Sequence, residues 1–220
     1  MILLKHILQE LKQRDDKQDD KRDDKRDDDN LESAGGGYMF IGDSLSSKPG
    51  GGTWNGILDK SYNLGAKHVY QSGCETGWMK ANAIPIIENN PYGTFKKVVI
   101  WGGTNDAFND RPGGTISNLT AISKAVKAKG GQLYVFLGYD AAKVMINLGD
   151  GNRYCDNKCR QLGKARTIAL FKQIEGGISG AIIIPRVPGG DKNWAPVDGV
   201  HISGPAHAAI ASHIWPYIKP

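Results

Sequence analysis

Apolar positions after residue 37 fall into two alternating patterns. Five short segments rich in apolar residues are strand candidates, at residues 38–41, 68–71, 97–101, 133–138 and 181–187. Between and after them, longer stretches have apolar residues at helical spacing, at residues 54–62, 78–89, 117–129, 158–175 and 205–217. Buried strands that alternate with helices are typical of a parallel sheet covered by helices on both faces. The pattern therefore predicts one doubly wound α/β domain over residues 38–220, with a long loop over residues 139–156.

Residues 1–37 follow a different pattern and are predicted to form a separate charged tail. Apolar residues at positions 1, 4, 8 and 11 make a short leucine-rich stripe, and residues 15–30 repeat pairs of aspartates followed mainly by basic residues. Aspartate is a poor helix former, so both a solvated helix and a flexible spacer remain open. A Ser-Ala-Gly-Gly-Gly hinge follows at residues 33–37. We expect a tether that contacts a protein partner or sister copies through its leucine stripe.

The charge is divided unevenly along the chain. The net charge of +5 combines −3 in the tail, from 8 Lys/Arg and 11 Asp/Glu, with +8 in residues 38–220. The basic residues of the domain are scattered, which argues against a nucleic-acid surface. No stretch approaches the ~20 apolar residues that span a bilayer, and charge interrupts the first residues too soon for a signal peptide. We therefore expect a cytoplasmic protein by default, with association to a cell surface or a virus particle left open.

Polar residues follow the predicted strands where a parallel sheet places its chemistry, at the carboxyl edge. Ser44 stands in Gly42-Asp43-Ser44-Leu45 after the first strand, Gly73 follows the second, and Asn105 follows the third. Asp198 and His201 lie three residues apart just before the final helix. We expect these five residues to meet at one site.

The residue types at this edge suit nucleophilic catalysis. A serine hydroxyl becomes a nucleophile when a histidine takes its proton, and a carboxylate orients that histidine. Ser44 and His201 are the candidate nucleophile and base, with Asp198 as the orienting group. The backbone N–H groups of Ser44 and Gly73 and the Asn105 amide are candidate donors to an oxyanion.

These segments resemble the SGNH hydrolases, also called GDSL esterases and lipases. The matching blocks occur in family order: Gly42-Asp43-Ser44, then Gly73, then Gly103-Thr104-Asn105-Asp106, then Asp198-Gly199-Val200-His201. The resemblance implies a flavodoxin-like three-layer α/β/α sandwich with five parallel strands and no metal or organic cofactor. It also implies the triad Ser44, Asp198 and His201, and an oxyanion hole of Ser44, Gly73 and Asn105. Gly77 remains an alternative to Gly73.

Other polar residues receive structural interpretations. Asp43 and Asp106 are predicted to hold turns through local Asx hydrogen bonds, and Cys74 to be a small buried filler. His207 and His213 are interpreted as surface or packing residues, and His68 belongs to no motif. Cys155 and Cys159 could form a local disulfide or remain two thiols. A zinc site there is not expected, because two further ligands are missing.

The predicted reaction is hydrolysis of an ester through an acyl-enzyme at Ser44. Polar, aromatic-bearing loops and the lack of a long apolar lid favour removal of a short acyl group, acetyl above all, from a small or polymeric carbohydrate. A lipase, thioesterase or arylesterase of the same fold is the enzymatic alternative. The non-enzymatic alternative is a binding or structural module of a larger assembly.

Overall fold

The computed structural model describes residues 37–46, 51–145, 157–190, 194–195 and 200–220, with the backbone alone for residues 157–160. The predicted tail, Asp198 and Cys155 therefore lie outside the described residues, as does the side chain of Cys159. The domain boundary at residue 37, the tether and the state of the two cysteines stay predictions.

The five strand candidates form one parallel sheet, as the sequence predicts. The strands are β1 (Tyr38–Gly42), β2 (Lys67–Tyr70), β3 (Lys97–Trp101), β4 (Gln132–Phe136) and β5 (Ala181–Ile184), in the spatial order β2-β1-β3-β4-β5. Each neighbouring pair is parallel. The site-bearing strand β1 therefore lies inside the sheet, between β2 and β3.

Helices cover both faces of the sheet. They are α1 (Trp54–Tyr62), α2 (Thr76–Glu88), α3 (Thr104–Phe108), α4 (Thr115–Ala128), α5 (Ala141–Val144), α6 (Asn157–Glu175) and α7 (Gly204–Ile218). Within the described residues, no helix has both the length and the apolar composition needed to cross a bilayer.

Side-chain alternation along the strands gives the sheet two apolar faces. Phe40 of β1 packs in one core cluster with residues of α1 and α7, whereas Met39 and Ile41 pack in a second with residues of α2, α4 and α6. Two helical layers with the sheet between them make the predicted three-layer α/β/α sandwich.

The strand register brings three loops to the same level. Gly42, the last residue of β1, lies opposite Tyr70 of β2 and Trp101 of β3. Each of these residues ends its strand, so the chain leaves all three strands at one edge. The segments that contain Ser44, Gly73 and Asn105 consequently start side by side.

Two short helices depart from the predicted pattern. Helix α3 covers residues that are not among the predicted helices, and α5 interrupts the stretch 139–156, for which the sequence predicts a long loop. Both are too short for apolar residues to recur at helical spacing. Asp140 supplies the local reason for α5, because its side chain accepts a hydrogen bond from the Ala142 N–H at 3.0 Å.

Candidate active site

The turn after β1 is built around a glycine and two polar side chains. A Cβ at Gly42 would lie 1.9 Å from Ser46 Oγ, so only glycine leaves room for this turn. The Ser46 N–H donates to the Asp43 carbonyl at 3.0 Å, and Ser46 Oγ accepts from Trp54 Nε1 of α1 at 3.2 Å. Ser44 is half-buried at the tip of this anchored turn.

His201 reaches that serine from the other end of the chain. Its Nε2 lies 2.8 Å from Ser44 Oγ across 157 residues of sequence, and the residue is exposed. Two hydrogen bonds hold the histidine's segment against the domain: Tyr139 Oη donates to the Val200 carbonyl at 2.9 Å, and the Ser203 N–H donates to the Trp194 carbonyl at 2.7 Å. When the neutral ring carries its proton on Nδ1, Nε2 can accept the serine proton. Asp198, the predicted orienting carboxylate, lies outside the described residues.

Asn105 lies in the first turn of α3, which begins after Gly103. The Gly103 φ of +107° is a backbone conformation that favours glycine. Asn105 Nδ2 donates to the Cys74 carbonyl at 3.0 Å and to Asp43 Oδ2 at 3.2 Å. Both partners are acceptors, so the amide nitrogen rather than its oxygen must face them. The Asn105 donor therefore lies between the residue before Ser44 and the residue after Gly73.

The loop after β2 packs against the end of β1. Its Gln71 N–H donates to the Gly42 carbonyl at 3.4 Å, and the Cys74 thiol contacts the same carbonyl at 3.5 Å. Gly73 is exposed and has a φ of +72°, whereas the alternative, Gly77, lies inside helix α2. Its position in the loop beside the end of β1, rather than inside a helix, favours Gly73 over Gly77 as the candidate backbone donor.

The Asp106 side chain bonds distant segments instead of the local backbone N–H of the predicted Asx turn. It is almost fully buried and accepts three hydrogen bonds, from the Thr76 N–H at 3.0 Å, the Thr76 hydroxyl at 2.5 Å and the Thr115 hydroxyl at 2.9 Å. These partners begin α2 and α4 respectively. Asp106 therefore fixes three helix starts together and, with them, the segment that carries Asn105. Sequence reasoning missed this because the partners are distant in the chain.

Asp43 combines the predicted Asx turn with a second bond. Its Oδ1 accepts from the Leu45 N–H at 3.0 Å, which confirms the local turn, while Oδ2 takes the Asn105 amide. Burial is the largest influence on Asp43 and raises its pKa to about 6. The Leu45 N–H and the charge of His201 lower the pKa, whereas the charge of Asp106 raises it.

Cys74 is buried, as predicted for a packing residue. Burial, with a further contribution from the charge of Asp43, raises the pKa of its thiol to about 12. The thiol therefore stays protonated near neutral pH and does not compete with Ser44 as a nucleophile.

Two other histidines have packing roles. His207 on α7 is buried, which agrees with the packing alternative of the prediction. Burial, and then the nearby His201, lower its pKa to about 4. His68 on β2 bonds through both ring nitrogens: Asn55 Nδ2 lies 2.8 Å from Nδ1, and Asp59 Oδ2 lies 3.1 Å from Nε2. No sequence motif indicated this buried network.

An open cavity of about 280 Å³ lies beside β5, away from β1 in the sheet order. Its charged lining residues form two pairs, Lys143 with Asp140 at 3.6 Å and Arg186 with Glu175 at 3.2 Å. Of the candidate catalytic residues that the structure describes, neither Ser44 nor His201 lines it.

Known structures with the same fold include several esterases. TesA is 20% identical, with 83% of this chain and 98% of TesA covered and a TM-score of 0.55. A member of the lipolytic G-D-S-L family from Veillonella parvula is 16% identical, with coverages of 83% and 97% and a TM-score of 0.55. Axe2, an acetylxylan esterase from Geobacillus stearothermophilus, is 16% identical, with coverages of 83% and 94% and a TM-score of 0.55.

These comparisons identify the fold. No family model matches the sequence, and no curated protein matches it. The chain has the α/β fold of the G-D-S-L lipolytic proteins, which confirms the predicted fold class and supports the SGNH resemblance. At identities of 20% or less, its chemistry must be argued from its own residues.

Proposed function

We propose that this protein is a serine ester hydrolase of the SGNH type, which removes a short acyl group through an acyl-enzyme at Ser44. The observation that carries the proposal is the 2.8 Å contact between Ser44 Oγ and His201 Nε2 at the carboxyl edge of the sheet. A hydroxyl beside an accessible imidazole is the minimum arrangement for activating a serine.

The first half of the proposed reaction forms the acyl-enzyme. Ser44 Oγ attacks the ester carbonyl carbon while its proton moves to His201 Nε2, and the carbonyl electrons move onto oxygen. The N–H groups of Ser44 and Gly73 stabilise the resulting oxyanion, together with the Asn105 N–H that leaves the Cys74 carbonyl for it. When the tetrahedral adduct collapses, the ester C–O bond breaks and the leaving alcohol takes the proton from His201.

The second half restores the enzyme. His201 takes a proton from water, whose oxygen attacks the acyl carbon, and the new adduct expels Ser44 Oγ as it recovers that proton. The products are a carboxylic acid and free Ser44. Asp198 is proposed to orient His201 and to stabilise the imidazolium that forms in each half-reaction.

Neighbouring structures support this assignment of roles. Two of them are catalytic mutants of Axe2, one with a serine and one with a histidine replaced by alanine. A catalytic serine and histidine in a protein of the same fold are consistent with a Ser44–His201 pair here.

The proposed substrate is an acetylated carbohydrate. Polar side chains flank the loop next to the candidate oxyanion hole: Asn109 Nδ2 donates to Glu75 Oε1 at 2.9 Å, and Arg111 lies 3.6 Å from the same oxygen. An exposed polar rim suits a hydroxylated leaving group better than a long acyl chain. Axe2 is an acetylxylan esterase and, in another structure, an acetyl-xylooligosaccharide esterase.

Labelling with a fluorophosphonate tests whether the serine is activated. We expect the intact protein to be labelled, and Ser44→Ala and His201→Ala to lose the label. Ser72→Ala is the matched control, because Ser72 is an exposed serine on the neighbouring loop, and it should label normally. Absence of labelling in the intact protein would favour the non-catalytic binding or structural module.

Ester specificity tests the substrate class. We expect faster hydrolysis of p-nitrophenyl acetate than of long-chain p-nitrophenyl esters, and release of acetate from acetylated xylo-oligosaccharides. A preference for long chains or for thioesters would replace the acetyl-carbohydrate proposal with the lipase or thioesterase alternative.

A further inference from the structure

Asp43 binds two different donors with its two oxygens. Oδ1 accepts from the Leu45 N–H at 3.0 Å, and Oδ2 accepts from Asn105 Nδ2 at 3.2 Å. The side chain is 2% exposed, so water does not replace either partner readily. One carboxylate thus links the turn that carries Ser44 to the helix that carries Asn105.

An ionised carboxylate gives both donors a strong acceptor at this position. An asparagine of the same shape offers one acceptor and one donor, so either Leu45 N–H or Asn105 would face another N–H group. A protonated Asp43 keeps two oxygens, but its hydroxyl oxygen is a weaker acceptor than a carboxylate oxygen and carries a hydrogen of its own. Because Asp43 is buried, an N–H group that loses its acceptor there cannot bond water instead, and the contact between the Ser44 turn and Asn105 is destabilised.

Asn105 also donates to a second acceptor, the Cys74 carbonyl, and the two acceptors together fix the direction of the amide nitrogen. The Cys74 carbonyl and Asp43 Oδ2 together hold the amide nitrogen towards the two loops that supply the other candidate donors. These two acceptors use both amide hydrogens, so Asn105 donates to an oxyanion only when one bond is released. The bond to the charged Asp43 is the stronger of the two, which leaves the N–H on the Cys74 carbonyl to be exchanged. Without the carboxylate, this exchange would release the only bond that orients the amide.

We propose that Asp43 is a positioning residue for catalysis: its ionised carboxylate holds one N–H of the Asn105 amide, while the other N–H exchanges the Cys74 carbonyl for the developing oxyanion. This role deepens the proposed hydrolase function and rests on it. Asp43 acts through Asn105 and does not itself touch the substrate.

Ionisation of Asp43 should therefore appear in the pH profile. The titratable groups that act on Asp43 are His201, Asp106 and Cys74, from three different segments. Because the pKa of Asp43 is raised to about 6, its protonation falls in the range where a histidine base also becomes protonated. The slope of log kcat/KM against pH should approach about 2 on the acid side, since two groups must be deprotonated.

A double-mutant cycle tests whether Asp43 acts through Asn105. We expect Asp43→Asn to lower kcat by roughly 10- to 100-fold with little change in KM, less than the roughly 10²–10³-fold loss for a missing oxyanion donor. The double variant Asp43→Asn/Asn105→Ala should be no slower than Asn105→Ala alone. In Asn105→Ala, the acid-side slope of log kcat/KM should fall to about 1, because Asp43 then has no oxyanion donor to position. Multiplicative losses, or an unchanged slope of 2, would overturn the inference.

Asp59→Asn serves as the matched control for loss of a buried carboxylate. Asp59 pairs with His68 away from the site, so this variant should be less stable but keep kcat and the acid slope. If Asp59→Asn lowered kcat and the acid slope as much as Asp43→Asn does, a general loss of folding would account for both variants, and the positioning role of Asp43 would be overturned.

A spectroscopic measurement separates this inference from the hydrolase proposal. The side-chain NH₂ resonances of Asn105, assigned by their loss in Asn105→Ala, should titrate with an apparent pKa of about 6 in the wild-type protein. They should titrate in His201→Gln as well, which removes the imidazole as the source. Resonances that do not move through this range overturn the Asp43 role, whether or not the protein hydrolyses esters; moving resonances without ester hydrolysis would show that the hydrolase proposal fails instead.

Discussion

Two histidines of this protein, His201 and His68, each lie beside polar partners in very different surroundings. His201 is exposed at the carboxyl edge of the sheet, with Nε2 2.8 Å from a serine hydroxyl. His68 lies on β2, and its side chain is 2% exposed. Its two ring nitrogens bond Asn55 and Asp59 of α1. A histidine with a carboxylate partner is thus present in the core, at His68.

The difference shows what a histidine needs in order to act on a substrate. At His68, Nδ1 accepts from Asn55, so Nε2 carries the proton and donates it to Asp59, and both nitrogens are occupied. His201 instead faces a hydroxyl that a substrate can reach. Accessibility and a nucleophile, rather than the presence of an acid, distinguish a catalytic histidine from one that stabilises the fold.

Replacing His201 should have the largest effect. His201→Ala removes the proposed base, and kcat should fall by about 10⁴-fold or more, as in serine hydrolases that lose a triad member. The thermal midpoint should change little, because the side chain is exposed. Stopped-flow or steady-state kinetics on a short ester checks this, and a residual rate above one-tenth of wild type would contradict the assignment.

Replacing Asn105 should have the next largest effect. Asn105→Ala removes one proposed oxyanion donor and should lower kcat by roughly 10²–10³-fold. Asn118→Ala is a suitable control, because its amide bonds Thr76 Oγ1 at 3.2 Å rather than the Ser44 turn. Equal losses of kcat in both variants would mean that Asn105 has only a structural role.

His207 should make stability depend on pH. Its pKa is about 4 in the folded protein against 6.5 for a free histidine, so the unfolded chain binds the proton more tightly between those values. The contribution of the neutral His207 to the free energy of unfolding is therefore fully present above pH ~6.5. As the pH drops to ~4, that contribution is lost and the free energy of unfolding falls by about 3 kcal/mol. Asp43, with a raised pKa, acts in the opposite direction over part of this range.

A variant isolates the contribution of His207. The difference in unfolding free energy between wild type and His207→Leu, from urea titrations at pH 7 and pH 4, should change by about 3 kcal/mol in favour of the variant. A pH-independent difference would show that His207 is not kept neutral by its surroundings.

Replacing His68 should have the smallest effect, and on stability alone. His68→Ala leaves Asp59 and Asn55 without their ring partners, and we expect a loss of about 1–3 kcal/mol in unfolding free energy. Turnover at saturating substrate should stay within about twofold of wild type, because the network is remote from Ser44. A loss of turnover comparable to that of His201→Ala would erase the contrast between the two histidines.

The sheet and the residues at its edge could be predicted from local sequence. Most strands are rich in apolar residues, and the blocks with Ser44, Gly73 and Asn105 each follow a strand closely, so pattern and position agree. The Ser44–His201 contact also follows from this logic, because strand ends and the start of α7 share one edge. Helices α3 and α5 could not be predicted, since so few residues leave no period to detect.

The contacts that hold the site together were beyond local reasoning. Asp106 bonds Thr76 and Thr115, Tyr139 bonds Val200, and Asp43 bonds Asn105, each through tertiary packing rather than through neighbouring residues. Short Asp and Asn side chains suit local turns equally well, so their sequence context favoured the Asx interpretation. Only the folded arrangement distinguishes the two roles.

Trapping the acyl-enzyme tests the central claim most directly. The protein is mixed with a short p-nitrophenyl ester, quenched in acid within the first turnover and digested, and its peptides are analysed by mass spectrometry. We predict an acyl group on the peptide that contains Ser44, located at that hydroxyl and missing from Ser44→Ala. Turnover of the ester by the wild-type protein with no acyl group on Ser44, or with the same adduct in Ser44→Ala, would contradict the account.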